Sequence, residues 1–271
     1  MKRTIAILRD PHEDGGAVRY TIDHFASIWR EDGHEVFYLL GADRFVPADL
    51  VIVHVDLSVV PDEYIALARR YPIALNAGVT DIRKETFSTL RLTRDDAHAG
   101  RVIVKTNRNY AAIPEQLVGL RGPTAVSFRS PQEYRIYDRI DDVAPAIWDD
   151  PELIVEKFVP EMEGDSYVVH AMNFLGDRIT CGRLVGPHPI VNGKTQERIE
   201  RIEPHREMIR LRAQMGFDFG KFDYVMHEGR PILLDANKTV GAGNIPMTPE
   251  RAKTRRYRAE GLYAYFNGGV R

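Results

Sequence analysis

The chain has 271 residues, of which 44% are hydrophobic and 28% charged, and 37 Lys plus Arg against 39 Asp plus Glu leave a net charge of -2. This balance excludes a fibrous or disordered chain and gives no global field to attract nucleic acid or an anionic membrane. A single cysteine, Cys181, excludes an intrachain disulfide and a multi-cysteine zinc centre, and suits a reducing, cytoplasmic setting.

Near the start, a four-residue apolar run before Arg9 is too short for a signal peptide, and no later window reaches the length of a membrane span. Thr4 to Leu8 reads as a buried strand. Val18, Ile22, Phe25 and Trp29 then recur at helical spacing until Asp32-Gly33 stops the helix. Between them, Glu13-Asp14-Gly15-Gly16 is either a turn that exposes N–H groups to an anion or a plain loop. Val36 to Leu40 and Leu50 to Val55 read as strands, and a helix starts near Pro61 with Asp62 and Glu63 in its first turn. The pattern predicts an open α/β domain with a parallel sheet over residues 1–90.

A second unit, 91–155, begins at the polar stretch TRDDAHAG. Strand Val102-Ile-Val leads into Lys105, breaks fall at Gly119–Pro123 and Ser130-Pro131, and Asp141 to Trp148 reads as a short capped helix. It has the character of a small lid. From Leu153 the chain turns strand-rich and antiparallel, with Ser166 to Asn173, a turn at Gly176-Asp177, and Ile179 to Val185. A helix over 205–215 precedes a second hairpin, Lys221 to Met226 and Ile232 to Asp235, turning at His227-Glu-Gly-Arg; the third unit is 156–271.

Asp235 and Asn237 are two apart at the end of an apolar strand, so their oxygens leave the same face. The hairpin can bring Asp223 beside them. Three oxygen donors suit a hard cation such as Mg²⁺ held together with nucleotide phosphates, although Asp and Asn at a strand end also form plain turns. Lys105 can offer a point charge to a phosphate or be a solvated strand end. The segment Val155-Glu156-Lys157-Phe158-Val159 and the acidic run to Asp165 suit a binding strand or a charged sheet edge. Cys181, inside an apolar strand, suits the core better than a nucleophilic role.

The order Lys105, EKFV, DYVM, LLDANKTVG resembles the ATP-grasp superfamily over roughly residues 100 to 245, the D-alanine:D-alanine ligase branch in particular. Its most specific stretch is GFDFGKFDYVMHEGRPILLDANKTVGAG. The resemblance implies an α/β (α+β) ATP-grasp fold: an N-terminal pre-ATP-grasp domain, a central lid subdomain and a C-terminal antiparallel-sheet subdomain. The implied activity is an ATP- and Mg²⁺-dependent carboxylate–amine ligase, with Mn²⁺ as a substitute ion. It would join small carboxylate and amine substrates, amino acids or a peptide, through an acylphosphate, and homodimers are common among proteins of this kind. A non-catalytic ATP-binding sensor and a phosphotransferase on the same fold are the alternatives.

Residue by residue, the resemblance implies that Glu156, Lys157, Phe158 and Val159 hold adenine, largely through backbone groups, and that Glu163 or Asp165 takes the ribose. Lys105 would bind phosphates. Asp223, Asp235 and Asn237 would hold one or two Mg²⁺ ions, and Lys221 and Arg183 would stabilise the transferred phosphoryl group. Three departures stand out. The segment after Lys105 is TNRNYAAIP instead of a glycine-rich cover, with Asn107 and Arg108 as substitute donors. Asp235 stands where Glu is usual. Lys238 follows the metal-binding Asn, where it would meet a substrate carboxylate or be solvated. Gly241-Ala-Gly243 could offer N–H groups to an oxyanion.

Overall fold

The computed structural model describes residues 1–13, 20–120, 122, 124–243 and 246–267. Asp14, Gly15, Gly16 and Val18, to which the sequence gives a turn and a helix start, lie outside them.

Strands β1 (Thr4–Arg9), β2 (Glu35–Leu40), β3 (Leu50–Val53) and β4 (Ala74–Leu75) form a parallel sheet in the order β2-β1-β3-β4. A parallel sheet must be covered on both faces, and alternation along β1 shows how. Ile5 and Ile7 meet Ile22, Phe25 and Trp29 of helix α1 (Thr21–Glu31), whereas Ala6 and Leu8 join Tyr64, Ile65 and Leu67 of α2 (Asp62–Ala68). The α1 side also takes in Phe219, Ala259 and Leu262 from far along the chain, and Trp29 Nε1 donates to the Ala259 carbonyl at 2.9 Å.

After the short helix α3 (Lys84–Phe87), a second sheet is built from β5 (Val102–Thr106), β6 (Arg135–Tyr137) and β7 (Leu153–Lys157), antiparallel in the order β6-β5-β7. Helices α4 (Ile113–Leu117) and α5 (Pro145–Trp148) accompany it. The single helix expected over Asp141–Trp148 is two pieces, a 3-10 turn at Ile140–Asp142 and then α5, because Pro145 can only open a helical turn. The expected division between 155 and 156 falls inside β7, whose partner is β5.

The third sheet is antiparallel, in the order β11-β10-β9-β12-β13 with β8 also paired to β9. Its strands are β8 (Glu161–Glu163), β9 (Ser166–Leu175), β10 (Arg178–Gly186), β11 (Arg198–Ile202), β12 (Phe219–His227) and β13 (Arg230–Asn237). The β12–β13 turn has positive φ at both Glu228 (49°) and Gly229 (76°), the type I′ geometry that matches strand twist. One face packs on α6 (Arg206–Gln214), burying Met172, Phe174, Cys181, Phe222 and Tyr224; the other looks into a cleft. Helices α7 (Pro249–Ala259) and α8 (Tyr263–Phe266) follow, and α7 lies across β9, β10 and α1.

Candidate functional site

A cleft of about 1370 Å³ separates the second sheet from the third. Register decides which side chains reach it. On β12 and β13, Asp223 lies opposite Asp235 and Lys221 opposite Asn237, and all four line the cleft together. The register shifts between Asp223 and Tyr224, so that Leu234 and Asp235 both line the cleft, while strand alternation places Tyr224 on the far face.

The carboxylates carry their own counter-charges. Lys221 Nζ is 2.7 Å from Asp223 Oδ2, and Lys84 Nζ, on the first residue of α3, is 3.2 Å from Asp235 Oδ1. Burial and the facing Asp235 push the Asp223 carboxyl above its ordinary pKa against the pull of Lys221. Burial opposes the charge of Lys84 and of Lys221, but Asp235 with Tyr134 and Glu156 at Lys84, and Asp223 with Asp235 at Lys221, together hold both lysines above the usual value. Asn237 Oδ1 accepts from the Thr239 amide at 2.8 Å and lies 3.4 Å from the Thr239 hydroxyl. Among the described residues no three His, Cys, Asp or Glu side chains gather as a metal centre. The donor set is two carboxylates and an amide oxygen, all hard ligands of the kind that would suit Mg²⁺.

From the second sheet, Val102 and Val104 of β5 turn into their own core while Ile103 and Lys105 face the cleft. Lys105 is buried there against Glu156 on β7, Nζ to Oε2 2.6 Å. Lys157, Phe158 and Val159 line the same wall. The amides of Lys157 and Phe158 are already donated to Leu90 and Arg101 carbonyls, at 2.8 and 2.9 Å, so neither is a free donor for a base.

Several expected residues are not brought here. Arg183 pairs in register with His170, on the α6 face of the sheet, where it holds Glu163 at 2.5 Å and Glu200 at 3.3 Å. Strand alternation puts its side chain on the opposite face from Asp223. Glu163 is drawn off by Arg183 and Arg198, which also hold its pKa low, and Asp165 is exposed at the β8–β9 turn. The donors of Asn107 and Arg108 are engaged within the fold: Asn107 Nδ2 donates to the Pro151 carbonyl at 3.3 Å and Arg108 Nε to Glu152 at 2.9 Å. Lys238 is neither solvated nor in the cleft; it is fully buried and donates to the carbonyls of Val55, at 2.9 Å, and Leu57. Gly241 and Gly243 do line the cleft.

Lys84 is the residue that sequence reasoning missed. Its segment, DIRKETF, has no marked periodicity, and only the approach of α3 to β13 brings it to Asp235.

No family model matches the sequence, and no curated protein matches it. Solved structures do. A D-alanine–D-alanine ligase from Bacillus anthracis superposes with a TM-score of 0.52 at 12% identity, over 99% of this chain and 97% of that one. The ATP-grasp ligase PsnB, complexed with a minimal precursor, Mg and ADP, gives 0.55 at 15% identity over 96% of each chain. The macrocyclase MdnC from Microcystis aeruginosa, bound with precursor peptide MdnA, gives 0.52 at 12% over 96% and 99%. The chain has the ATP-grasp fold along nearly its whole length.

Proposed function

We propose that the protein is an ATP-dependent ligase that joins a carboxylate to an amine. The observation that carries this reading is the cleft-facing set of Asp223, Asp235 and Asn237, ringed by Lys84, Lys105 and Lys221. Opposed carboxylates are costly beside one another unless cations occupy the site, and lysines around them suit phosphate oxygens.

In this reading Asp223, Asp235 and Asn237 hold Mg²⁺, with Mn²⁺ able to replace it. Bound there, the ion would offset phosphate charge. Lys105 and Lys84 draw the terminal phosphates of ATP towards the carboxylates, and Lys221 neutralises charge that develops on the transferred group. Lys157, Phe158 and Val159 form the wall for the base. A substrate carboxylate oxygen attacks the γ-phosphorus and ADP leaves, giving an acylphosphate; the amine then displaces phosphate to form the amide and gives up a proton.

A binding-only protein is the second reading, favoured by the structural commitment of Asn107 and Arg108 and the pairing of Lys105 with Glu156. Melting with and without MgATP, using Asp235→Ala as control, followed by ADP release across amino acids and short peptides, separates the two. At a hundredfold excess over Kd, MgATP adds about 2.7 kcal/mol to a protein that binds it. A shift lost in Asp235→Ala with substrate-dependent ADP release supports the ligase. A shift without ADP release supports the binder, and no shift overturns both.

A further inference from the structure

Arg251, Arg255 and Arg258 recur at i, i+4 and i+7 on α7, a spacing that gives them one helix face, and all three line the cleft that holds Asp223 and Asp235. Like charges at this spacing repel. On the other side of the same helix Arg256 is satisfied by Asp32 and Glu31. The cleft-facing three form no ion pair among the described residues, although Glu250 lines the cleft one residue before Arg251.

Their unmet capacity is specific. Arg255 Nη1 and Arg258 Nε are buried without a hydrogen-bond partner among the described residues, while Arg251 Nη1 donates to the Pro246 carbonyl at 3.2 Å. Arg258 also lies over the Phe25 ring at 5.7 Å, a contact that fixes the guanidinium without satisfying its N–H groups. Burial, reinforced by Arg255, pushes the Arg258 pKa down to about 10. An unpaired buried guanidinium is expensive to keep, and a planar fork of donors matches an oxyanion.

Position gives the pair its meaning. α7 packs on β9 and β10, and the cleft wall beneath it carries Asn173 and Thr180, with Asn173 in register with Lys221. The arginines therefore sit past the Lys221 end of the carboxylate set.

We propose that Arg255 and Arg258 form a pocket for a second carboxylate of the acid substrate. The acid activated would be a dicarboxylate or an acidic peptide, with one carboxylate held under α7 and the other presented to the nucleotide. This assignment rests on the ligase reading, but the anion pocket can be tested by binding alone.

Binding is measured calorimetrically in the presence of Mg²⁺ and a non-hydrolysable ATP analogue, with dicarboxylates from malonate to adipate, the monocarboxylates of equal chain length, and inorganic phosphate. The wild type should bind the best dicarboxylate at least about tenfold tighter than its monocarboxylate, the weight of one charge-assisted contact. Arg255→Met with Arg258→Met should abolish that preference, and Arg258→Lys, which keeps the charge, should retain part of it and serve as the control for folding. Equal binding of di- and monocarboxylates, or a preference that survives the double substitution, overturns the proposal. Phosphate binding tighter than every dicarboxylate overturns the carboxylate assignment. A missing response to the ATP analogue refutes the nucleotide reading instead, and is read separately from these outcomes.

Discussion

Lys84 reaches across from α3 to stand 3.2 Å from the Asp235 carboxylate on β13, joining the segment after the parallel sheet to the carboxylate pair of the third sheet. Lys84→Met leaves two facing carboxylates with one lysine fewer. Turnover should fall by about a hundredfold or more, as expected for loss of a cation acting on developing charge. Urea unfolding without Mg²⁺ should show a loss on the order of 2 kcal/mol that Mg²⁺ partly restores. A variant with wild-type turnover would remove Lys84 from the site.

The buried pair of Lys105 and Glu156 predicts an asymmetry. Breaking a buried ion pair from one side leaves a charge without a partner, at a cost of roughly 3 to 5 kcal/mol. Lys105→Met should therefore lose stability and MgATP affinity together. Glu156→Gln, which keeps a hydrogen-bond acceptor for Lys105, should cost less stability and leave measurable MgATP binding. Titration calorimetry on both variants, with denaturant melts, checks this; equal losses in the two would contradict it.

Arg183 should be dispensable to the chemistry. Its partners Glu163 and Glu200 are each more than two-fifths exposed, so these pairs contribute little. Arg183→Ala should keep kcat within about twofold and cost no more than about 1 kcal/mol. A hundredfold fall in kcat would return this residue to the cleft.

Lys238 gives a pH signature. Burial lowers its pKa from 10.5 to about 8 in the folded protein, against nearby acidic groups of which Asp56 is foremost. Between these values the unfolded chain binds the extra proton. The penalty from Lys238 is thus fully present below about pH 8 and is relieved as the pH rises towards 10.5. Relative to Lys238→Met, the wild type should gain stability across that window, by about 3 kcal/mol at most. Stability differences from paired urea melts at several pH values test the sign, and a flat difference would contradict it.

The β12–β13 hairpin was legible because its signals are local: a turn with Gly229, alternating apolar positions, and Asp235 and Asn237 at a spacing of two. The parallel sheet and α1 could be read for the same reason. Arg183 was misplaced because strand alternation settles its face only once the register with His170 is known. Lys84 and Lys238 were missed or misread because their partners lie over a hundred positions away in the chain, at Asp235 and Val55. The segment after Lys105 hides its shape differently. Tyr110, Ala111 and Ala112 all have positive φ, at 46°, 57° and 57°, which no propensity of Tyr or Ala announces.

The core over α1 mixes Ile5, Phe25 and Trp29 with Phe219, Ala259 and Leu262. During synthesis α1 and the sheet it packs on leave the ribosome some two hundred additions before Phe219, Ala259 and Leu262, so the part of the core that these residues close stays open for that time. Closing so long a loop is slow, so the earliest sheet to be made is among the last parts to become stable. The protein completes its fold only after Leu262 emerges, and a nascent chain stalled before that point should be open to protease at α1.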